Sequence, residues 1–362
     1  MAIMATMARG SFFKKAASAA LAAGLFLCCA LSVYADKSDY ADIDRLYSRK
    51  GDESIYISEG KFLYNFKGDY PGVTICGYAG DSKTLNIPNM INGRDVAAIE
   101  KDAFAGNKRI EKVTFPNSVK SIGNNCFNGC PNLKEVSLAT GVSTFEKVFC
   151  DCPKLKSITF PQGVSSIQDS FKNCTSLSYV KFARSVTSIG EQSFSGCISL
   201  TQIDWMGGIV KLGNAFDGCT ALESLSFPEG LVLIDGAFGG CTALREISFP
   251  QTLLYITGGF TGCSSLTKIE LPEKALFVNE AFNDCENLSK LRHSDATSIS
   301  DTAFKRCPKL VIEKENHFMS RLLKWTALVA IMALAGFLTF RLLTFMAKNL
   351  TQKKNMTSGK DR

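Results

Sequence analysis

The chain has 362 residues, 46% of them apolar and 21% charged, so it holds ample material for a packed core and lacks the composition of a disordered polymer. Fourteen Cys stand beside only two His, His293 and His317, which weakens His-based catalysis and mixed Cys/His metal sites from the outset. The formal charge of +7 would suggest nucleic acid or an anionic membrane as a partner, but only if the surplus lies on the folded body.

Residues 1–35 carry Arg9, Lys14 and Lys15 and no acid, then an apolar stretch from Ala16 to Val33 that ends in Val33-Tyr34-Ala35. A basic start, an apolar middle and small residues near a cut site predict a secretory signal peptide, with cleavage after Ala35. Lipid attachment at Cys28 or Cys29 fits poorly, because Leu27 stands where a small residue is wanted. Residues 36–72, polar and then rich in Tyr (Tyr40, Tyr47, Tyr56, Tyr64, Tyr70), are expected to form an N-terminal cap on the segment downstream.

From 73 to 315 the chain repeats itself. Ten Phe recur at intervals of 22 or 23 residues, at 104, 127, 149, 171, 194, 216, 238, 260, 282 and 304. Three residues after each Phe but the first stands a Cys: Cys130, Cys152, Cys174, Cys197, Cys219, Cys241, Cys263, Cys285 and Cys307, with Asn107 in the first place. Three further on comes Leu or Ile. Within a unit such as Cys241–Pro250, Leu244, Ile247 and Phe249 are expected to face inward; Ile247-Ser248-Phe249 alternates as a strand does, and Pro250 ends the pairing. Ile234 and Phe238 mark the opposite wall. One unit of this size cannot bury these groups alone, so the units must stack as a solenoid whose equivalent strands run parallel, about 4.8 Å apart.

Ala-Phe-x-Gly-Cys-x-x-Leu-x-x-Ile-x-Phe-Pro, as it stands at 237–250, resembles the BspA-like leucine-rich repeats found in treponemes and other bacteria. Val73-Thr-Ile75, Leu85-Asn-Ile-Pro88, Ile91-Asn-Gly-Arg-Asp-Val96 and Ile99 resemble the opening unit of that family. The resemblance implies a leucine-rich-repeat solenoid of ten or more coils and a role in attachment to matrix proteins, other cells or glycans. It does not fix the ligand, because such repeats are a general binding scaffold. Several units depart from the pattern: Ile203-Asp-Trp205-Met206 loses Phe and Pro, and Leu291-Arg-His293 puts His in the Phe place.

Twelve Cys remain after signal removal, nine in the ladder plus Cys76, Cys126 and Cys150. Stacking brings equivalent Cα atoms within disulfide range, yet parallel side chains in one row have poor dihedral geometry for bonding. A reduced ladder of buried thiols is expected, with Cys126 and Cys150 the pair to watch for a bridge. A row also cannot converge tetrahedrally on a metal, and Cys150-Asp-Cys152 and Cys126-x-x-x-Cys130 are weak metal or redox signals.

His293-Ser294-Asp295 is adjacency rather than triad geometry, and no Gly-rich phosphate loop appears. No enzyme activity, cofactor or metal is therefore expected. Asn173-Cys-Thr and Asn287-Leu-Ser match glycosylation acceptors but overlap the ladder. The expected binding surface is the concave face of the strand stack, made of residues flanking each central Ile: Lys112, Glu135, Tyr179, Lys181, Gln202, Asp204, Glu246, Lys268, Glu270, Lys290 and Arg292, with Ser and Thr between them. Tyr179 is the lone aromatic of that row and the best anchor candidate.

After a juxtamembrane linker at 316–324, which contains His317, residues 325–347 form an apolar stretch broken only by Arg341. Its 23 residues exceed the roughly 20 that a helix needs to cross a bilayer. The basic tail at 348–362 then predicts a cytoplasmic end, with the repeats outside the cytoplasm, at the cell surface or facing the periplasm. Residues 36–320 hold 30 bases and 33 acids, so the basic surplus belongs to targeting and nucleic acid is not an expected partner. The function expected is a membrane-anchored extracytoplasmic protein that binds a protein or glycan partner. A structural or scaffolding protein of the envelope, tethered to the inner membrane, is the alternative.

Overall fold

The computed structural model describes residues 45–50, 53–66 and 72–314. The expected signal peptide, linker, membrane helix and tail, with His317, lie outside the described residues. Among the described residues no helix is long and apolar enough to cross a membrane. The chain divides into two units, 1–313 and 314–362, and the repeats belong to the first.

Four antiparallel strands, Arg45–Lys50, Glu53–Ile57, Phe62–Asn65 and Val73–Tyr78, open the described chain. The last of these also pairs in parallel with Arg94–Ile99, which pairs in parallel with Ser121–Ile122. The meander therefore hands its hydrogen bonds directly to the first coils.

From Thr84 onward each described coil but the last contributes two short strands. The first ladder runs through Thr84–Asn86, Lys112–Thr114, Glu135–Ser137, Ser157–Thr159, Tyr179–Phe182, Gln202–Trp205, Ser224–Ser226, Glu246–Ser248, Lys268–Glu270, Lys290–His293 and Val311–Lys314. These are the strands that the repeat predicts, in parallel register: Ile158 lies beside Val180, and Val180 beside Ile203. The second ladder, at the Ile234 wall, is one sheet of eight strands from Thr144–Glu146 to Ser298–Ile299. The first ladder instead divides into sheets of three, three, two and three strands.

Between the ladders the core consists of columns. The Phe column from Phe104 to Phe304 stacks ring on ring, with Phe194, Phe216 and Phe238 separated by 5.1 Å and tilted by 6° or less. A second aromatic column meets it edge-on: Phe160, Phe182, Trp205, Phe227 and Phe249. Trp205 thus takes the place that the sequence pattern read as a lost Phe, 5.2 Å from Phe182. His293 occupies the corresponding place near the other end, buried, with its Nδ1–H donated to the Ser294 carbonyl at 2.8 Å.

Each coil turns in part through residues in the left-handed region, where Gly avoids a Cβ clash. In the coil of Trp205 the turn is Gly207-Gly208, with φ of +85° and +97°. A Cβ at Gly207 would meet nothing within 4 Å, whereas one at Gly208 would fall on the Arg184 carbonyl oxygen of the coil before. Gly207→Ala should therefore cost about 1 kcal/mol, the left-handed penalty offset in part by a stiffer unfolded chain. Gly208→Ala should cost at least about 2 kcal/mol more. Urea unfolding of the two variants checks this, and equal midpoints would refute it.

Candidate functional site: the first-ladder face and the thiol ladder

Inward and outward residues alternate along each first-ladder strand, so the predicted face follows from the pleat. Ile158, Val180, Leu225, Ile269 and Leu291 point into the core, and their neighbours point out. Glu135, Gln202, Glu246, Lys268, Glu270, Lys290 and Arg292 are exposed; Lys112, Tyr179, Lys181 and Asp204 are half-buried. Parallel register places Tyr179 beside Gln202 and Lys181 beside Asp204. It also places Lys112 beside Glu135, Lys268 beside Lys290, and Glu270 beside Arg292.

Two polar clusters form on this face. In the middle coils the Tyr179 hydroxyl donates to Asp204 Oδ2 at 2.6 Å and the Gln202 amide donates to Asp204 Oδ1 at 3.0 Å. These bonds hold the Asp204 carboxyl below its usual range, and the carboxylate in turn pushes the Tyr179 phenol up. Toward the first coils Lys112 sits 2.9 Å from Glu135 and lowers its carboxyl. Beside it, on the column that precedes the strands, Lys134 and Lys83 lie 2.6 and 2.8 Å from Glu111 and bring that carboxyl down to about 2. Sequence reasoning named Tyr179, Gln202 and Asp204 singly. Their union needed the coil-to-coil register, and Glu111 was missed because it precedes the alternating positions.

The cysteines follow a single rule. Each ladder Sγ donates to the carbonyl of the Phe in the preceding coil, from Cys130 to Phe104 at 3.3 Å through Cys307 to Phe282 at 3.1 Å. In the coils of Phe171, Phe194, Phe216, Phe238 and Phe260 the same carbonyl also accepts the backbone N–H of the Cys in its own coil, as Phe194 does from Cys197 besides the thiol of Cys219. In those coils thiol and amide together saturate a buried oxygen. Asn107 replaces Cys where the coil below, 73–99, has no Phe; its side chain instead accepts from the Arg109 and Ile110 amides. Burial pushes the thiols of Cys197, Cys241 and Cys285 up to about 12.

Cys150 and Cys152, one residue apart across Asp151, diverge: Cys150 donates to the Asp169 carbonyl at 2.6 Å and Cys152 to that of Phe127 at 3.2 Å. Cys126 and Cys76 are buried. Among the described residues no three His, Cys, Asp or Glu side chains gather in a way that could hold a metal. The amides of Asn173 and Asn287 are held by Asp151 and the Ser264 carbonyl.

The family described as "BspA type Leucine rich repeat region (6 copies)" matches residues 81–201, 146–259 and 213–317. A leucine-rich repeat protein of Bacteroides ovatus is similar in structure at 24% identity, with a TM-score of 0.53 over 69% of this chain and 80% of that one. The Treponema pallidum leucine rich repeat protein aligns at 29% identity and a TM-score of 0.43, over 57% of this chain and 88% of that one. Among curated proteins none matches.

Proposed function

We propose, from the premise that this chain belongs to the BspA-type leucine-rich repeat family, that it is an extracytoplasmic binding protein. It attaches to a protein or glycan partner through the outward face of its first ladder, and residues 325–347 tether it to a membrane. The observation that carries this reading is the cluster of Tyr179, Gln202 and Asp204, with Lys181 beside it in register. The cluster pairs an aromatic ring with a fixed carboxylate on a rigid backbone, so little ordering remains to be done on binding. Tyr and charged groups of this kind anchor many interfaces, each contact modest and the sum useful.

The test combines exposure with binding. Protease added to intact cells should digest the repeats, and the chain should bind a component of a matrix-protein and glycan array. Changing Tyr179→Ala with Lys181→Ala should weaken that binding about tenfold or more, because truncation at an anchor removes about 1.4 kcal/mol or more. The variant should keep its thermal transition, since both side chains lie outside the core. Full protection from protease would remove the adhesive reading, and binding indifferent to the substitutions would move the site elsewhere.

A further inference from the structure

The second ladder carries a face that the proposed function does not use. In its early coils the residue before each strand and the outward first residue of the strand are Ser143 and Thr144, Ser165 and Ser166, then Thr187 and Ser188. In the last coil Ser298 continues the row, and Thr297 before it is buried. Over four consecutive coils between, they become Val210 and Lys211, Val232 and Leu233, Leu254 and Tyr255, Leu276 and Phe277. These side chains do not enter the core: Val210 is 48% exposed, Leu276 45%, Tyr255 40% and Phe277 39%. The Tyr255 hydroxyl makes no hydrogen bond among the described residues. The inward residue of the same strands, Leu212, Ile234, Ile256 or Val278, already fills the core completely. Folding of this unit gives no reason for the apolar stripe.

We infer that this stripe is a contact between two copies of the chain, related by a two-fold axis that lies in the contact, parallel to the strands, and passes between the coils of Leu233 and Tyr255. Lys211, Leu233, Tyr255 and Phe277 form one straight column in register. Such an axis reverses the order of coils and keeps each column facing itself. Leu233 then meets Tyr255, and Val232 meets Leu254. Lys211, the one cation of the column, meets the exposed ring of Phe277, an attractive pairing. Asp235, the one acid on the neighbouring column of Gly213, Asp235, Thr257 and Asn279, meets Thr257. A two-fold axis along the direction of stacking would instead set Lys211 against its own copy. The charges therefore select the first arrangement. The stripe is about 19 Å long at the spacing of parallel strands. It presents less than the roughly 800 Å² per partner of a standard interface, so association in the micromolar range is expected.

The full-length chain in a mild detergent should shift from monomer to dimer between about 1 and 100 µM by light scattering. A photoreactive phenylalanine analogue at position 255 should cross-link two copies, with the bond mapping to the strand of Leu233 in the second copy. The combined variant Leu233→Ser, Tyr255→Ser, Phe277→Ser uses a residue that the same column carries in other coils, so the fold should be kept, as circular dichroism checks. It should weaken dimerisation about tenfold or more. A chain that stays monomeric at about 100 µM would overturn the proposal. So would a dimer indifferent to the three substitutions, or a cross-link to residues 325–347 of the same chain or to a different protein.

Discussion

Phe216→Ala should lower the free energy of unfolding by about 3–5 kcal/mol, the range for emptying a well-packed aromatic site. Phe216 has no exposed surface, stacks 5.1 Å from both Phe194 and Phe238, and meets Trp205 edge-on at 5.9 Å. Its neighbours are held by the hydrogen bonds of their own coils, as Phe194 and Phe238 are through their backbone amides, and cannot collapse into the gap. Because each coil touches only its neighbours, the loss also breaks the coupling between the halves of the stack. Urea unfolding followed by circular dichroism should therefore show a lower and broader transition. Phe304→Ala makes the comparison, since Phe304 is half-buried and stacks on one ring only, Phe282 at 5.3 Å. It should cost about half as much; equal effects would mean that the column does not transmit stability from coil to coil.

The thiol ladder makes a second large effect, and its sign is fixed. An ordinary Cys loses its proton near pH 9, whereas Cys197, Cys241 and Cys285 keep theirs to about 12 in the fold because burial disfavours the thiolate. Above pH 9 the unfolded chain thus holds fewer protons than the folded one, and stability falls as pH rises. Each such group contributes about 1.4 kcal/mol per pH unit, so these three alone remove about 4 kcal/mol per unit. Cys174 and Cys219, raised for the same reason, add to this. Against a total stability of about 5–15 kcal/mol, the chain should unfold between roughly pH 10 and 11 while remaining stable at pH 8. Stability measured against pH, with and without Cys197→Ala, Cys241→Ala and Cys285→Ala together, checks this. The triple variant should be weaker at pH 7 but flatter above pH 9, and parallel curves would refute the assignment.

The columns that form the core were plain in the sequence because each rests on one large or distinctive residue per coil. Phe238, Cys241, Leu244 and Ile247 recur at fixed spacing and can do so only if stacked. The second ladder was read as a wall and not as a sheet, since strands such as Ser188–Ile189 are two residues long with a single inward side chain. Alternation cannot be recognised in two residues. Trp205 was read as a loss because the pattern asked for Phe, although the site accepts any flat ring that stacks. The members of the first-ladder face were legible from their places beside the inward Ile. The hydrogen bond from Tyr179 to Asp204 was not, for it joins residues of different coils. The apolar stripe escaped notice for the same reason: Leu233, Tyr255 and Phe277 are ordinary singly and become a surface only in register.

The thiol bonds also give the stack a sense of direction. Every ladder Cys reaches back to the coil before it, and Phe amides of the interior reach forward, as from Phe216 to the Ala237 carbonyl. The two ends are therefore chemically unlike, and a coil cut from the middle can be grafted only one way round. Duplicating residues 219–240 in place should lengthen the molecule by one period with every donor and acceptor still matched, whereas a Cys-bearing coil cannot serve as the first. Growth and shrinkage by whole periods thus leave the bonding scheme intact, and Asn107 marks where counting begins.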